Sequence, residues 1–290
     1  MAEAVQNRRP LHRTRTPRVA VVGAGLSGIA MGVQLLQAGI ESFTIYEKSD
    51  KIGGTWHANT YPGVACDVPS HFYQYEFAPN PSWSMWFASG AEIDEYLEKV
   101  ANDYGVRPHI RCHTAVIDAQ FTGASWAVTL SDGNRDEVDF LISATGILRD
   151  PKYPDIPGLD QFKGATLHSA RWDPSISIAE KRVGIIGTGS TATQIISSVA
   201  AEVEQLTIFQ RTPQWILPVP NGHVPWAVRQ ALRVQPLNRA AYLLTRAAVG
   251  IFQHAVVQPG WQRSVIGKVC RLNLATVKKR SASGTTDTRL

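Results

Sequence analysis

The sequence is poor in cysteine. Cys66, Cys112 and Cys270 are its only three, and no two of them form a C-x-x-C pair. That spacing excludes a thiolate zinc site and a thiol–disulfide reductase centre, leaves no metal site, and fits a reduced, cytoplasmic protein. An uncharged run of membrane-spanning length is also missing, because the most apolar stretch, residues 240–257, is interrupted by Arg246 and His254. The body of the chain lacks excess positive charge, although the formal net charge is +5. Residues 1–18 hold five Arg against one Glu, and residues 278–290 hold two Lys and two Arg against one Asp. Taking those nine basic and two acidic residues from the totals of 29 and 24 leaves 20 against 22. Without a basic stripe on the body, nucleic acid is set aside as a partner, and residues 1–17 and 278–290 read as disordered tails. What is present is length for two domains in 290 residues, with 44% hydrophobic residues to fill their cores.

A basic stretch followed by the apolar residues 19–36 imitates a secretory signal, but the pattern of residues 19–47 argues otherwise. Val19-Ala20-Val21-Val22 is a β-branched run that ends in Gly23-Ala24-Gly25-Leu26-Ser27-Gly28, and a helical pattern then places Ile29, Val33 and Leu36 on one face. Gly39 stops that helix, and Ser42-Phe43-Thr44-Ile45-Tyr46 reads as a second strand that delivers Glu47 nineteen residues after Gly28. In a strand, turn, helix, strand unit each part has a physical task. Gly23 makes the tight turn, Gly25 lets backbone N–H groups reach a pyrophosphate, Gly28 lets helix and strand approach, and Glu47 holds a ribose hydroxyl pair. A signal sequence would not be expected to place an acid at the end of a second strand.

Further along, Ser89-Gly90-Ala91-Glu92 is a capping box opening a helix with Ile93, Tyr96, Leu97, Val100 and Tyr104 at helical spacing. Residues 112–130 alternate in short runs broken by Thr122-Gly123 and Asp132-Gly133, which predicts an antiparallel meander laid on the nucleotide-binding sheet. Residues 138–143 return as a buried strand into Ala144-Thr145-Gly146. After a Pro-rich linker, residues 151–157, a second unit begins: Val183-Gly184-Ile185-Ile186, the turn Gly187-Thr188-Gly189-Ser190-Thr191-Ala192, a helix through Ile195, Ile196 and Val199, and a strand over residues 206–209. Two such turns in one chain imply two dinucleotides. The second strand ends in Gln210-Arg211-Thr212, with Arg rather than an acid near the ribose position, which suits a 2′-phosphate and so NADPH over NADH.

Three segments carry a family resemblance. Lys51-Ile52-Gly53-Gly54-Thr55-Trp56, then Asn59, Tyr61-Pro62-Gly63 and Cys66-Asp67, resemble the stretch that runs along FAD and beside its ring in Baeyer–Villiger-type flavin monooxygenases. The segment Phe162-Lys163-Gly164-Ala165-Thr166-Leu167-His168-Ser169-Ala170-Arg171-Trp172-Asp173 matches the family fingerprint F-x-G-x-x-x-H-x-x-x-W-D. Its Trp172 separates it from the sister N- and S-oxygenases, which usually have Tyr there. The chain resembles the N-terminal part of such an enzyme. The resemblance implies FAD at the first turn, with Gly54, Thr55 and Trp56 along its diphosphate, and NADPH at the second, with O₂ and a ketone or related small molecule as partners. It also implies insertion of one oxygen atom through a flavin C4a-peroxide, with Asp67 the active-site acid that holds a catalytic Arg, and with His168 coupling the two domains rather than acting as a base.

No residue here matches that Arg, and Lys278-Lys279-Arg280 lies outside the expected context. The expected fold is α/β, with two Rossmann-like domains for FAD (residues 18–150) and NADPH (residues 151–212), a β-meander insertion, a partial helical region (residues 213–277) and the C-terminal part missing. Two alternatives share the motifs: a truncated, catalytically silent relative that keeps the nucleotide-binding motifs, and a flavin N- or S-oxygenase.

Overall fold

The computed structural model describes residues 16–148, 150–212, 214, 219 and 221–281. Two compact units divide the chain, one running through Ala58 and again from Asp94 to Asp150, the other from Asn59 to Ile93 and from Pro151 onward. Residues 59–93 therefore group with the second unit, although the sequence pattern carries the first domain unbroken from residue 18 to 150. The segment is poor in regular structure and is fastened to residues beyond 150: Trp86 donates from its backbone to the Gly222 carbonyl (3.1 Å), and the Gln194 side chain accepts from Ala65 N (3.3 Å). Sequence periodicity cannot register such pairings.

In the first unit, β1 (Val19–Val22) leads through the glycine turn into α1 (Leu26–Gln37) and on to β2 (Phe43–Tyr46). A short α2 (Thr55–Ala58) follows, then α3 (Gly90–Asp103), β3 (Ile110–Arg111), β4 (Val116–Phe121), β5 (Trp126–Leu130), β6 (Arg135–Val138) and β7 (Phe140–Ser143). The main sheet is parallel, in the order β3-β2-β1-β7, with Val19 opposite Phe43 on one side and Phe140 on the other. A central parallel strand is covered on both faces, so its residues need not alternate. Accordingly Val19, Ala20 and Val21 are all buried, with Ile29 and Val33 of α1 buried as well. The antiparallel meander β4-β5-β6 lays Val128, Leu130 and Val138 against Ala20 and Tyr46 of the sheet, as the alternation predicts. Its limits are later than expected: Val138 closes β6, and the return strand begins at Phe140.

The capping box ahead of α3 is half formed. Ser89 Oγ accepts from Glu92 N (3.3 Å), but the Glu92 carboxylate turns away to accept from Ser84 N (2.7 Å) and Ser84 Oγ (2.8 Å).

In the second unit, β8 (Arg182–Ile186), α4 (Ser190–Val199) and β9 (Gln205–Phe209) form a parallel pair bridged by a helix, with Ile186 opposite Phe209. Ile195 and Val199 pack with Tyr61, and Trp172, Ile178, Ile185, Val203 and Leu206 close around them. Three helices follow: α5 (Trp226–Leu232), α6 (Gln235–Val257) and α7 (Trp261–Ser281). Helix α7 carries on through residues 278–281, where a tail was expected; residues 1–15 and 282–290 of the two expected tails lie outside the described residues. Helix α6 starts five residues before the apolar stretch of the sequence. Arg246 and His254 do not take it below the hydropathy of a membrane span, so by length and composition alone it reaches that mark, with 6% of its apolar window buried. No other described helix does.

Candidate functional site

The first turn is built by glycines with different duties. Gly23 has φ +104°, and a Cβ there would lie 2.6 Å from the Ala144 carbonyl oxygen, so the backbone itself demands glycine. Gly28 must be bare for another reason, since a Cβ would stand 1.9 Å from the Gly23 oxygen and push α1 off the turn. Gly25 is unlike both. It caps α1 with φ −82°, open to any residue, and a Cβ would meet nothing nearer than Gly54 Cα at an ordinary 3.4 Å. Neither conformation nor packing requires glycine at 25. The N-terminus of α1 has no side-chain cap and no acid in its first turn.

A second glycine pair lies directly against this turn. Gly53 N donates to the Ala24 carbonyl (3.0 Å), and a Cβ on Gly54 would be 2.9 Å from Gly25 Cα. Thr55 and Trp56 open α2 just beyond, with Trp56 N donating to the Gly53 carbonyl (3.2 Å). The spacing of Gly23, Gly25, Gly28 and Gly54 along the sequence thus converges on one cradle. Glu47 sits at the end of β2 as the motif requires, but it is buried. Its Oε2 accepts from Ala24 N (2.9 Å) and its Oε1 from Ser49 N (2.8 Å). The carboxylate ties the turn to the second strand.

The second turn repeats the division of labour. Gly187 has φ +116°, while Gly189 caps α4 at φ −71° with nothing within 4 Å of where its Cβ would be. Helix α4 likewise has no side-chain cap and no acid in its first turn, and it opens with Ser190 and Thr191. Gly187 N donates to the Phe209 carbonyl (3.0 Å), which sets the end of β9 beside the turn. Arg211 and Thr212 follow from that strand end and are exposed. The placement is that of a cation offered at the C-terminal edge of a parallel sheet, where such sheets bind ligands.

Asp67 is exposed on the loop after Cys66, and its Oδ1 accepts from Gln194 Nε2 of α4 at 2.7 Å. The neighbouring Cys66 thiol is pushed up to about 11, chiefly by burial, which makes it inert rather than nucleophilic. The motif therefore presents a carboxylate and hides a thiol.

The fingerprint residues do not gather into a reactive cluster. Phe162 is 63% exposed, with Gly164 bare beside its ring, where a Cβ would lie 2.6 Å from Cε1. His168 Nδ1 accepts from Ala170 N (3.1 Å), and Tyr153 meets its ring edge-on. Trp172 packs into the apolar cluster under α4. Asp173 Oδ1 accepts from Ser175 N (2.9 Å) and Oγ (2.6 Å), bonds that hold its carboxyl below the usual range. These are the contacts of a structural strap within the second unit.

Sequence reasoning missed Gln194. A polar residue next to Ile195 on an amphipathic helix reads as surface, and its partners lie more than 120 residues away. No metal-ligating group of three or more His, Cys, Asp or Glu occurs among the described residues.

The family model of flavin-binding monooxygenase-like proteins matches residues 16–246. An uncharacterized monooxygenase of Mycobacterium tuberculosis is 46% identical over 265 residues, covering 91% of this chain and 54% of its own length. A Baeyer–Villiger monooxygenase of Streptomyces coelicolor is 45% identical, covering 76% of this chain and 42% of its own. Among solved structures, cyclohexanone monooxygenase from Rhodococcus sp. Phi1 bound to NADP⁺ superposes with TM-score 0.69 at 37% identity, over 75% of this chain and 42% of that one. OTEMO in complex with FAD and NADP gives 0.69 and 37%, over 76% and 44%. The chain spans about half the length of the curated relatives it matches.

Proposed function

The chain belongs to the flavin-binding monooxygenase-like family, and on that premise we propose that it binds FAD at the first glycine turn and NADPH at the second, in the service of Baeyer–Villiger oxygenation of a ketone. The observation that carries the cofactor assignment is the pair Gly25 and Gly189. Both sit at uncapped helix N-termini, and neither needs to be glycine for the sake of the fold. A side chain at either place would stand where a pyrophosphate must reach backbone N–H groups. The relatives that carry FAD and NADP in their solved structures support the same reading.

In this proposal the residues bind, orient and exclude. The N-terminus of α1 and the Gly54-Thr55-Trp56 turn take the FAD diphosphate, and Glu47, which braces the turn, stands at the strand end where the ribose of the nucleotide would lie. Ser190 and Thr191 line the second pyrophosphate site, and Arg211 with Thr212 meets the 2′-phosphate, the only difference between NADPH and NADH. FAD, when bound, would supply the hydride acceptance and O₂ activation that no protein side chain can. Asp67, held by Gln194, offers a fixed carboxylate that would orient a cation. Trp172 keeps α4 seated on its sheet, so the fingerprint acts through the framework.

The test is product analysis. Supplied with FAD, NADPH, ¹⁸O₂ and a panel of ketones, amines and thioethers, an active Baeyer–Villiger enzyme yields esters or lactones with one labelled oxygen. Labelled N- or S-oxides without esters would assign the sister reaction. NADPH oxidation without any labelled product would leave the nucleotide sites and remove the oxygenation.

A further inference from the structure

A carboxylate on an exposed loop has no fixed place by default, yet Asp67 has one, and the structure assigns its positioning to Gln194. The Gln194 side-chain amide sits in the second turn of α4 and spends its whole hydrogen-bonding capacity on residues 61–67. Nε2 donates to Asp67 Oδ1 (2.7 Å) and to the Ala65 carbonyl (3.0 Å), while Oε1 accepts from Tyr61 Oη (3.0 Å) and Ala65 N (3.3 Å). A primary amide has two donor hydrogens and two acceptor lone pairs, so nothing is left over. The same count fixes its orientation, because a flipped amide would set its oxygen against a carboxylate and a carbonyl.

The backbone shows that the segment rides on the helix. Gly63 has φ +80°, and a Cβ there would lie 2.7 Å from the Gln194 carbonyl oxygen and 2.1 Å from Ser198 Oγ. Tyr61 is buried against Ile195 and Val199. The acid and the helix therefore move together, and Gly189 with Ser190 at the start of that helix forms the second dinucleotide turn, five residues from Gln194.

Gln194 is thus a positioning residue that fixes Asp67 to the helix receiving NADPH, so that the acid is aligned in register with the bound nicotinamide nucleotide. The inference rests on the cofactor reading above and goes beyond it in naming what couples the nucleotide turn to the acid. Glutamate in place of Gln194 would keep the two acceptor bonds but face Asp67 with a like charge. Methionine would fill the space and offer no donor at all.

The experiment uses the whole chain loaded with FAD, in two parts. Thermal unfolding is measured for the unmodified chain, Asp67→Asn, Gln194→Glu and the double variant. Loss of both donor bonds, to Asp67 and to the Ala65 carbonyl, predicts a penalty of roughly tenfold or more in the folding equilibrium for Gln194→Glu. Partial restoration is expected in the double variant, where Asp67→Asn supplies an amide that can donate to the carboxylate brought in by Gln194→Glu, while the Ala65 carbonyl still lacks its donor. Second, NADP⁺ is titrated while the visible absorption and circular dichroism of the flavin are followed, with Gln194→Met alongside in case the glutamate variant does not fold. The proposal expects NADP⁺ to perturb the flavin in the unmodified chain, and both Gln194 variants to bind NADP⁺ with affinity retained but without that perturbation. An additive unfolding cycle, or an undiminished perturbation in Gln194→Met, would overturn it. If the unmodified chain shows no flavin binding, the cofactor reading itself has failed, and the role of Gln194 goes with it.

Discussion

At the scale of single residues, the charge chemistry of the second site rests on Arg211. The side chain lies exposed past the end of β9, with no acid at the position where an NADH-binding turn would carry one. A guanidinium there gains a charge-assisted contact only with the nucleotide that has a 2′-phosphate. Replacing Arg211 with Ala is expected to lower the preference for NADPH over NADH by about tenfold or more, the equivalent of ~1.5 to 3 kcal/mol. Dissociation constants for both nucleotides check this, and an unchanged ratio would remove Arg211 from the site.

Residues were unequally legible in the sequence. Gly23, Gly25 and Gly28 could be assigned distinct duties from their spacing alone, because each duty is local to one turn. Glu47 was placed correctly at the strand end, but the bonds to Ala24 N and Ser49 N that bury it depend on the fold of its own turn. Gln194 was invisible, since its meaning comes from Tyr61, Ala65 and Asp67, which sequence distance separates from it.

At the scale of elements, two junctions decide whether the first unit holds. One is the seat of α1 on its turn. Any side chain at Gly28 collides with the Gly23 carbonyl, which is backbone and cannot swing aside. Gly28→Ala is therefore expected to cost about 1 to 3 kcal/mol of stability, the range seen for overpacking of a tight site. Chemical denaturation measures it; a cost below about half a kcal/mol, the usual range for changes that touch no buried feature, would show that helix and turn can part freely.

The other junction fastens the meander to the sheet. Tyr46 at the end of β2 donates its phenol to Asp136 on β6 (2.7 Å), and Arg18 pairs with the same carboxylate. Burial first, then the bond and charge of Asp136, push the Tyr46 phenol up to about 12 from 10.0. A proton held more tightly in the folded than in the unfolded state stabilises fully below about pH 10, and that contribution disappears as pH rises from about 10 towards about 12. Stability measured at about pH 9 and about pH 11, either side of the phenol's ordinary value, should fall further for the native chain than for Tyr46→Phe. Equal losses would mean the phenol is not held. Elements themselves were readable where periodicity is strong, as in β1, α1, β2, α3 and β8-α4-β9. The boundary between β6 and β7 was not, because Asp139 alone separates two strands that belong to different sheets.

At the scale of the whole molecule, the pattern of two strand, turn, helix, strand units was evident from sequence, and the α/β fold with its parallel sheets follows from it. The division into units was less evident. Residues 59–93 carry few regular elements, and their attachment rests on long-range contacts such as the reciprocal pair between the Phe87 backbone and the Asn221 side chain (3.1 and 3.0 Å). Helix α6 illustrates a different limit. Leu243, Leu244, Ile251 and Val257 are exposed on a helix apolar enough to be covered. The 3.6-residue period says only that it is a helix, and what covers it is not written in its own sequence.

The central claim is that one chain carries two separate dinucleotide sites, each admitted by a glycine that the fold itself does not need. Calorimetric titration of FAD and of NADP⁺ into the native chain, Gly25→Val and Gly189→Val tests it directly, with circular dichroism to confirm that each variant is folded. The native chain is predicted to bind both, Gly25→Val to lose FAD and keep NADP⁺, and Gly189→Val to lose NADP⁺ and keep FAD. Binding of both ligands by both folded variants would contradict the account.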